Sequence, residues 1–183
     1  LLPLAEVMMA GGEAITEELL DLSPNLKVIS RTGVGYDAID VSSATSRGVA
    51  VTIAPGTNQE SVAEQAFGLL LGLTRKIVAY DRMIRDGGWE RDVVSPIRGK
   101  TIGLIGLGRI GKAMVPRAKA FGMNVVAFDP IMDSEFDMAH GLLRRQFEDV
   151  LEVSDIVSLH LPASPATRGL FNASIFAKMK SGS

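Results

Sequence analysis

Cysteine is absent from all 183 residues. That excludes disulfides, a thiolate nucleophile and any cysteine-based zinc centre. Histidine occurs only twice, at His140 and His160, too widely spaced to suggest a shared ion, so no metal is expected. No charge of one sign predominates either. The 19 Lys and Arg against 21 Asp and Glu leave a net charge of −2, which carries no electrostatic footprint of nucleic acid or an anionic membrane. The longest apolar stretch, Ala66 to Leu73, is too short to span a bilayer and is flanked by Glu64 and Arg75. The opening residues Leu1-Leu-Pro-Leu-Ala-Glu6 lack the basic start and cleavage pattern of a secretory signal. A soluble, cytoplasmic chain is expected, long enough for one large or two small domains around a real core.

What the chain does have is a glycine pattern. Gly106, Gly108 and Gly111, in Thr101-Ile-Gly-Leu-Ile-Gly-Leu-Gly-Arg-Ile-Gly111, form G-x-G-x-x-G. Alone the triplet is weak. Here Thr101 to Ile105 reads as a buried strand before it, and Lys112 to Phe121 as a helix after it. A second apolar run, Asn124 to Phe128, then ends at Asp129. This is the arrangement of a dinucleotide-binding unit. Gly106 permits the tight turn, Gly108 lets the backbone approach a pyrophosphate, and Gly111 lets the helix pack on the strand. The N–H groups of Arg109 and Ile110 sit at the helix N-terminus, where unpaired donors and the helix dipole favour a diphosphate. The Asp129 carboxylate can accept both adenosine ribose hydroxyls and repels a 2′-phosphate, which favours NAD over NADP. Its alternative role is to start the turn at Pro130.

The first third of the chain alternates strand and helix signals. Glu6 to Met9, Leu26 to Ser30 and Val49 to Ile53 read as strands, and Thr16 to Leu22 and Val41 to Arg47 as helices, with Asp40 as an N-cap and Gly48 as a stop. Such alternation predicts parallel strands with crossover helices. A long helix is expected to begin near Asn58, on capping-box spacings of Thr57 with Glu60 and Ser61 with Glu64, and to end near Asp86. Val62, Ala66, Leu69, Leu73, Ile77, Tyr80 and Ile84 would form its buried face, and Gly68 and Gly72 could allow close approach of another element. Pro116 should kink the helix after the glycine motif. Phe147 to Leu151 reads as a helix, Ser154 to Leu161 as a strand, and Asn172 as the cap of a last helix.

Five blocks together carry a family resemblance. They are Arg31-Thr-Gly-Val-Gly-Tyr-Asp-Ala-Ile-Asp40, Ala54-Pro-Gly-Thr-Asn-Gln-Glu-Ser-Val-Ala-Glu64 and Gly99-Lys-Thr-Ile-Gly-Leu-Ile-Gly-Leu-Gly-Arg-Ile-Gly111, then Ser154-Asp-Ile-Val-Ser-Leu-His-Leu-Pro162 and Pro165-Ala-Thr-Arg-Gly-Leu170. In this order the chain resembles the D-isomer-specific 2-hydroxyacid dehydrogenases over nearly its whole length, most nearly their D-3-phosphoglycerate dehydrogenase branch. The resemblance implies an α/β fold: a Rossmann-type doubly wound parallel sheet, incomplete at its C-terminal end, plus part of a smaller flavodoxin-like substrate domain. It implies a partial substrate-binding domain over 1–57, a long inter-domain helix over 58–86 and an NAD-binding domain over 87–183 that lacks its last strands.

The same resemblance implies that Val34 and Gly35 line the junction of substrate and nicotinamide, with main-chain N–H groups holding the substrate carboxylate. Asn58 matches a residue facing the active-site cleft, with helix capping as its other reading. His160, Leu161 and Pro162 match the segment under adenine and ribose, and Thr167 a residue whose hydroxyl reaches the pyrophosphate. His160 is not read as the general acid, because its family counterpart contributes backbone and packing. His140 is read as a solvent-facing helix or turn residue. The family's orienting arginine, its proton-transferring histidine and the carboxylate that tunes it align beyond Ser183, so no catalytic residue is expected within 1–183.

The expected partner is a small 2-hydroxy or 2-keto acid. The first candidate is 3-phosphoglycerate, with Arg31 near enough to read its phosphate; hydroxypyruvate or glyoxylate come next. A homodimer through residues 87–100 and the long helix is also implied. Two rival classes remain: an NAD-binding module or inactive fragment without turnover, and an S-adenosylmethionine methyltransferase. The latter usually carries an acidic residue just ahead of the first glycine, where this chain has Leu104-Ile105.

Overall fold

A computed structural model describes residues 2–183, and its backbone divides into two compact units. The first comprises the residues up to Asn58 together with Pro162–Pro165; the second comprises Gln59–Leu161 and Ala166–Ser183.

In the first unit, a short 3-10 turn precedes β1 (Val7–Ala10), α1 (Glu17–Asp21), β2 (Val28–Arg31), α2 (Val41–Ser46) and β3 (Ala50–Thr52). The strands form a parallel sheet in the order β1-β2-β3. Ala10, Ile15, Leu20, Ile29, Ile39, Ala44 and Val49 make its core. Asp40 caps α2 as expected, accepting from Ser43 N at 2.9 Å, and Gly48 turns the chain at φ +72°.

The second unit holds α3 (Gln59–Thr74), α4 (Ile77–Arg85), β4 (Thr101–Ile105), α5 (Arg109–Ala120), β5 (Asn124–Phe128), α6 (Ser134–His140), β6 (Leu143–Arg144), α7 (Phe147–Val153), β7 (Ile156–Leu159) and α8 (Ala173–Phe176). Its sheet is parallel in the order β6-β5-β4-β7. β4 is buried along almost its whole length because β5 and β7 flank it and helices cover it, which explains the unbroken apolar run Ile102 to Ile105. Ile102, Leu104, Met114, Val115, Ala118, Val125 and Ala127 lie in one core cluster, and Ile105, Val126 and Val150 in another. Asn172 caps α8 by accepting from Ser174 N and Ile175 N.

Three expectations need correction. The long helix over 58–86 is two helices, because Lys76 adopts a left-handed conformation (φ 52°) between α3 and α4. Lys76 Nζ pairs with Asp92 Oδ2 at 2.5 Å, and Tyr80 Oη accepts from Asp92 N at 3.2 Å, so the turn is braced from outside.

The buried face of α3 is also not the predicted one. Ala63 and Phe67 are buried, with Ala66, Leu70 and Leu71 packed beside them, whereas Leu69 and Leu73 are 65% and 80% exposed. The run of leucines offers two apolar faces, and the one carrying the small Ala63 packs on α5. Gly68 and Gly72 face open space.

Thr57 does not form the predicted capping box; its hydroxyl donates to Ala54 O at 2.8 Å. The helix α5 continues through Pro116, as the sequence reading expected. Pro116 lies on the exposed side of the helix, where water can reach the carbonyl that loses its donor. The sequence reading also passed over α6 and β6. The signals were there: Asp133 caps α6 by accepting from Phe136 N, and Gly141 ends it in a left-handed conformation.

Candidate functional site

The glycine motif folds into the turn between β4 and α5. Gly106 N donates to Phe128 O and His160 N to Ile105 O, both at 2.8 Å, so the loop emerges held between the ends of β5 and β7. The three glycines differ in what surrounds them. At Gly106, with φ +94°, a Cβ would lie 2.5 Å from His160 O, and at Gly111 it would lie 2.2 Å from Gly106 O. No side chain fits either place. At Gly108, with φ −68°, a Cβ would meet nothing within 4 Å. Gly106 and Gly111 are therefore demanded by the fold, whereas the bare face of Gly108 opens to whatever approaches the loop.

Gly108 is the N-cap of α5, and the first rung of the helix ladder runs from Lys112 N to Gly108 O at 2.9 Å. The N–H groups of Arg109 and Ile110 precede that rung, so the helix itself supplies them no acceptor. With the dipole of a twelve-residue helix behind them, they form a place for an anionic oxygen.

Asp129 stands at the end of β5. Its Oδ2 accepts from Leu107 N at 2.6 Å and its Oδ1 from Ile131 N at 2.8 Å. Both readings of this residue are thus visible, the turn at Pro130 and a carboxylate turned toward the glycine loop. An ionised carboxylate has about four acceptor positions, so two bonds leave capacity for two hydroxyls. A cleft of about 440 Å³ adjoins it, lined by Leu107, Gly108, Lys112, Asp129, Met132 and Asp133 among others. Lys112 and Asp133 form an ion pair at this cleft, and the Lys112 ammonium lies 5.2 Å from the Phe136 ring centre. The motif-based reading missed both residues. The short spacing of Asp133 from Asp129 was the available signal.

His160 is half-buried, and its Nε2 lies 2.9 Å from Ser158 Oγ. Burial pushes its imidazole below the usual histidine range, which favours the neutral ring. Its backbone carbonyl closes over Gly106, and Leu161 packs beside Gly106 and onto the cluster around Ile105. Thr167 is half-buried in the turn before α8, its carbonyl accepting from Leu170 N. His140 ends α6, as the helix reading expected, but it is half-buried rather than solvent-facing, stacked on Phe136 at 4.1 Å between ring centres.

Gly106, Gly108, Arg109, Ile110, Gly111, Asp129, His160, Leu161 and Thr167 all belong to the second unit, whereas Val34, Gly35, Asn58 and Pro162 belong to the first. There Arg31 braces the loop that follows β2. Its Nε donates to Gly35 O at 2.9 Å and its Nη1 to Ala10 O at 3.3 Å. Ala54 N donates to Gly33 O at 3.0 Å, tying the same loop to the end of β3. Val34 is half-buried and Gly35 exposed at its tip.

Known proteins with this pattern are numerous. The chain is 43% identical to a D-3-phosphoglycerate dehydrogenase of Archaeoglobus fulgidus over 92% of its length, which is 32% of that protein. It is 41% identical to a glyoxylate reductase of Thermofilum pendens, over 92% of this chain and 52% of the relative. Among solved structures, a D-lactate dehydrogenase from Aquifex aeolicus, crystallised with NAD and lactic acid, superposes with a TM-score of 0.88 and 31% identity, over 98% of this chain and 55% of that one. The chain thus spans between a third and just over half of the relatives it matches. Residues 67–183 match the family model described as "D-isomer specific 2-hydroxyacid dehydrogenase, NAD binding domain". With that match added to the glycine loop and Asp129, the chain belongs to the D-isomer-specific 2-hydroxyacid dehydrogenases.

Proposed function

We propose that this chain holds NAD(H) on its glycine loop, and that the protein transfers hydride between that cofactor and a D-2-hydroxy or 2-keto acid. The observation that carries the reading is the contrast among the three glycines: two are closed by backbone oxygens and Gly108 is open. A loop needed only for its turn would give no reason for the bare Gly108.

In this reading the residues divide the work. The N–H groups of Arg109 and Ile110, at the head of α5, hold the pyrophosphate, and Thr167 supports it. Asp129 takes the ribose hydroxyls, while His160, Leu161 and Pro162 form the floor under adenine and ribose. Val34 and Gly35 offer main-chain N–H groups to the substrate carboxylate beside the nicotinamide, and Asn58 faces the cleft. Bound nicotinamide supplies the hydride. The residues of this chain bind, orient and exclude water. No proton transfer is assigned to His160, whose ring is engaged by Ser158 and kept neutral by burial.

Residues 1–57 then form the substrate side and 87–183 the nucleotide side, with the two helices of 58–86 between them in sequence. The best substrate candidate is 3-phosphoglycerate, supported by relatives of that name, with hydroxypyruvate and glyoxylate next. Arg31 is less available for a substrate phosphate than the sequence suggested, since its Nε and Nη1 already serve backbone carbonyls. No described helix is long and apolar enough to cross a membrane, and a cytoplasmic location is part of the proposal.

The test is oxidation of NADH by the purified protein with 3-phosphohydroxypyruvate, hydroxypyruvate or glyoxylate. Turnover yielding the D-hydroxy acid supports the reading. Saturable NADH binding without turnover of any 2-keto acid would overturn the oxidoreductase and leave a nucleotide-binding module.

A further inference from the structure

The cleft beside Asp129 contains an ion pair that the glycine motif does not require. Lys112 belongs to the first turns of α5, close to the helix end that would face an anion. A lysine there adds positive charge to the helix dipole, and an unpartnered ammonium at this place would attract a further phosphate. Its charge is instead taken up within the fold. The ammonium pairs with Asp133 and lies 5.2 Å from the Phe136 ring centre. Asp133 is held as well: its Oδ1 caps α6 by accepting from Phe136 N at 3.1 Å, leaving Oδ2 for Lys112. Both side chains remain about one third exposed, so they line the cleft without being sealed from it. Two carboxylates and one ammonium, from Asp129, Asp133 and Lys112, leave the lining with one net negative charge.

We infer that Asp133, by sequestering the charge of Lys112, is a second determinant beside Asp129 of the preference for an adenosine ribose without a 2′-phosphate. The inference rests on the nucleotide reading of the cleft and deepens it. Asp129 alone would face a free ammonium, and the two charges would offset each other toward a dianionic phosphate. With Asp133 present the ammonium is already paired, and the second carboxylate raises the repulsion.

The ratio of affinities for NADPH and NADH, which differ only in the 2′-phosphate, reads this calorimetrically without any need for turnover. Asp133→Asn keeps a side chain that caps a helix well, so α6 should persist while the charge is lost. The ratio is expected to rise roughly tenfold, the order of magnitude for one unit charge a few ångströms away in a partly exposed cleft. Lys112→Met is expected to lower it by a similar factor. The double variant, with the original net charge, should return near the starting ratio. Added salt should shrink every difference. A ratio unchanged in both single variants, with NADH still bound, would overturn the inference and reduce the pair to a brace for α6. Failure of the unaltered protein to bind NADH would instead overturn the nucleotide site itself, and this inference with it.

Discussion

At the scale of single residues, the glycine pattern was legible as a motif, and the structure separates its members by what each must avoid. Gly106→Ala would force a side chain to a φ of +94° and to within 2.5 Å of His160 O. It is expected to cost about 2–4 kcal/mol, combining left-handed strain with overpacking against backbone, as measured by urea unfolding. A loss below about 0.5 kcal/mol would contradict this account of the turn. Gly103 escaped the sequence reading, although a Cβ there would lie 2.2 Å from Ser154 Oγ. Its reason is α7 packing flat on β4, with Ser154 Oγ turned back to donate to Val150 O, a long-range contact that leaves no local periodicity. Lys112 and Asp133 escaped likewise: the closeness of Asp133 to Asp129 was a signal for Asp133, but nothing near Lys112 announces that the chain brings the two together.

At the scale of elements, β4 and β5 have the boundaries read from their apolar runs, and the caps Asp40 and Asn172 act where the sequence put them. The break at Lys76 was illegible because lysine is an ordinary helix former. The brace on its left-handed turn comes from a distant residue, Asp92, which pairs with Lys76 and donates its N–H to Tyr80 of α4. Another contact between elements, invisible in the pattern, joins the starts of β4 and β7. Asp155 Oδ2 accepts from Thr101 N at 2.8 Å, and Oδ1 accepts from Lys180 Nζ at 3.1 Å. The Thr101 bond first, then Lys180, holds the Asp155 carboxyl below its ordinary 3.8. Because the folded value is lowered, the ionised form stabilises the fold. That contribution is complete above pH 3.8 and is lost as pH falls through the folded value. Asp155→Ala should therefore cost about 1–2 kcal/mol near neutrality. In paired urea titrations, the gap to the unaltered protein should narrow below pH 3.8. A gap that stays constant with pH would show that the charge plays no part.

At the scale of the whole molecule, the alternation of strands and helices made the parallel sheets legible, and the family blocks made their sequence order meaningful. The faces left uncovered were not legible, because the leucines of α3 suit either side. Leu73, Val78, Trp89 and Val93 are 80%, 69%, 75% and 101% exposed, and the first two lie on α3 and α4. We propose that these exposed apolar side chains serve a homodimer through the helices and residues 87–100. Sedimentation velocity at micromolar concentration should show a species of twice the monomer mass, and Leu73→Glu with Trp89→Ala should dissociate it. An unaltered protein that sediments as a monomer would contradict the dimer. The central claim is narrower and sits at the open face of Gly108. Its most direct test is a calorimetric titration of NADH into the unaltered protein and into Gly108→Val, with thermal melts to verify that both are folded. The account predicts saturable binding at one site per chain, abolished or weakened at least tenfold by the valine, on the order of the contacts a displaced pyrophosphate would lose. Undiminished binding in a folded Gly108→Val, or no binding by the unaltered protein, would contradict it.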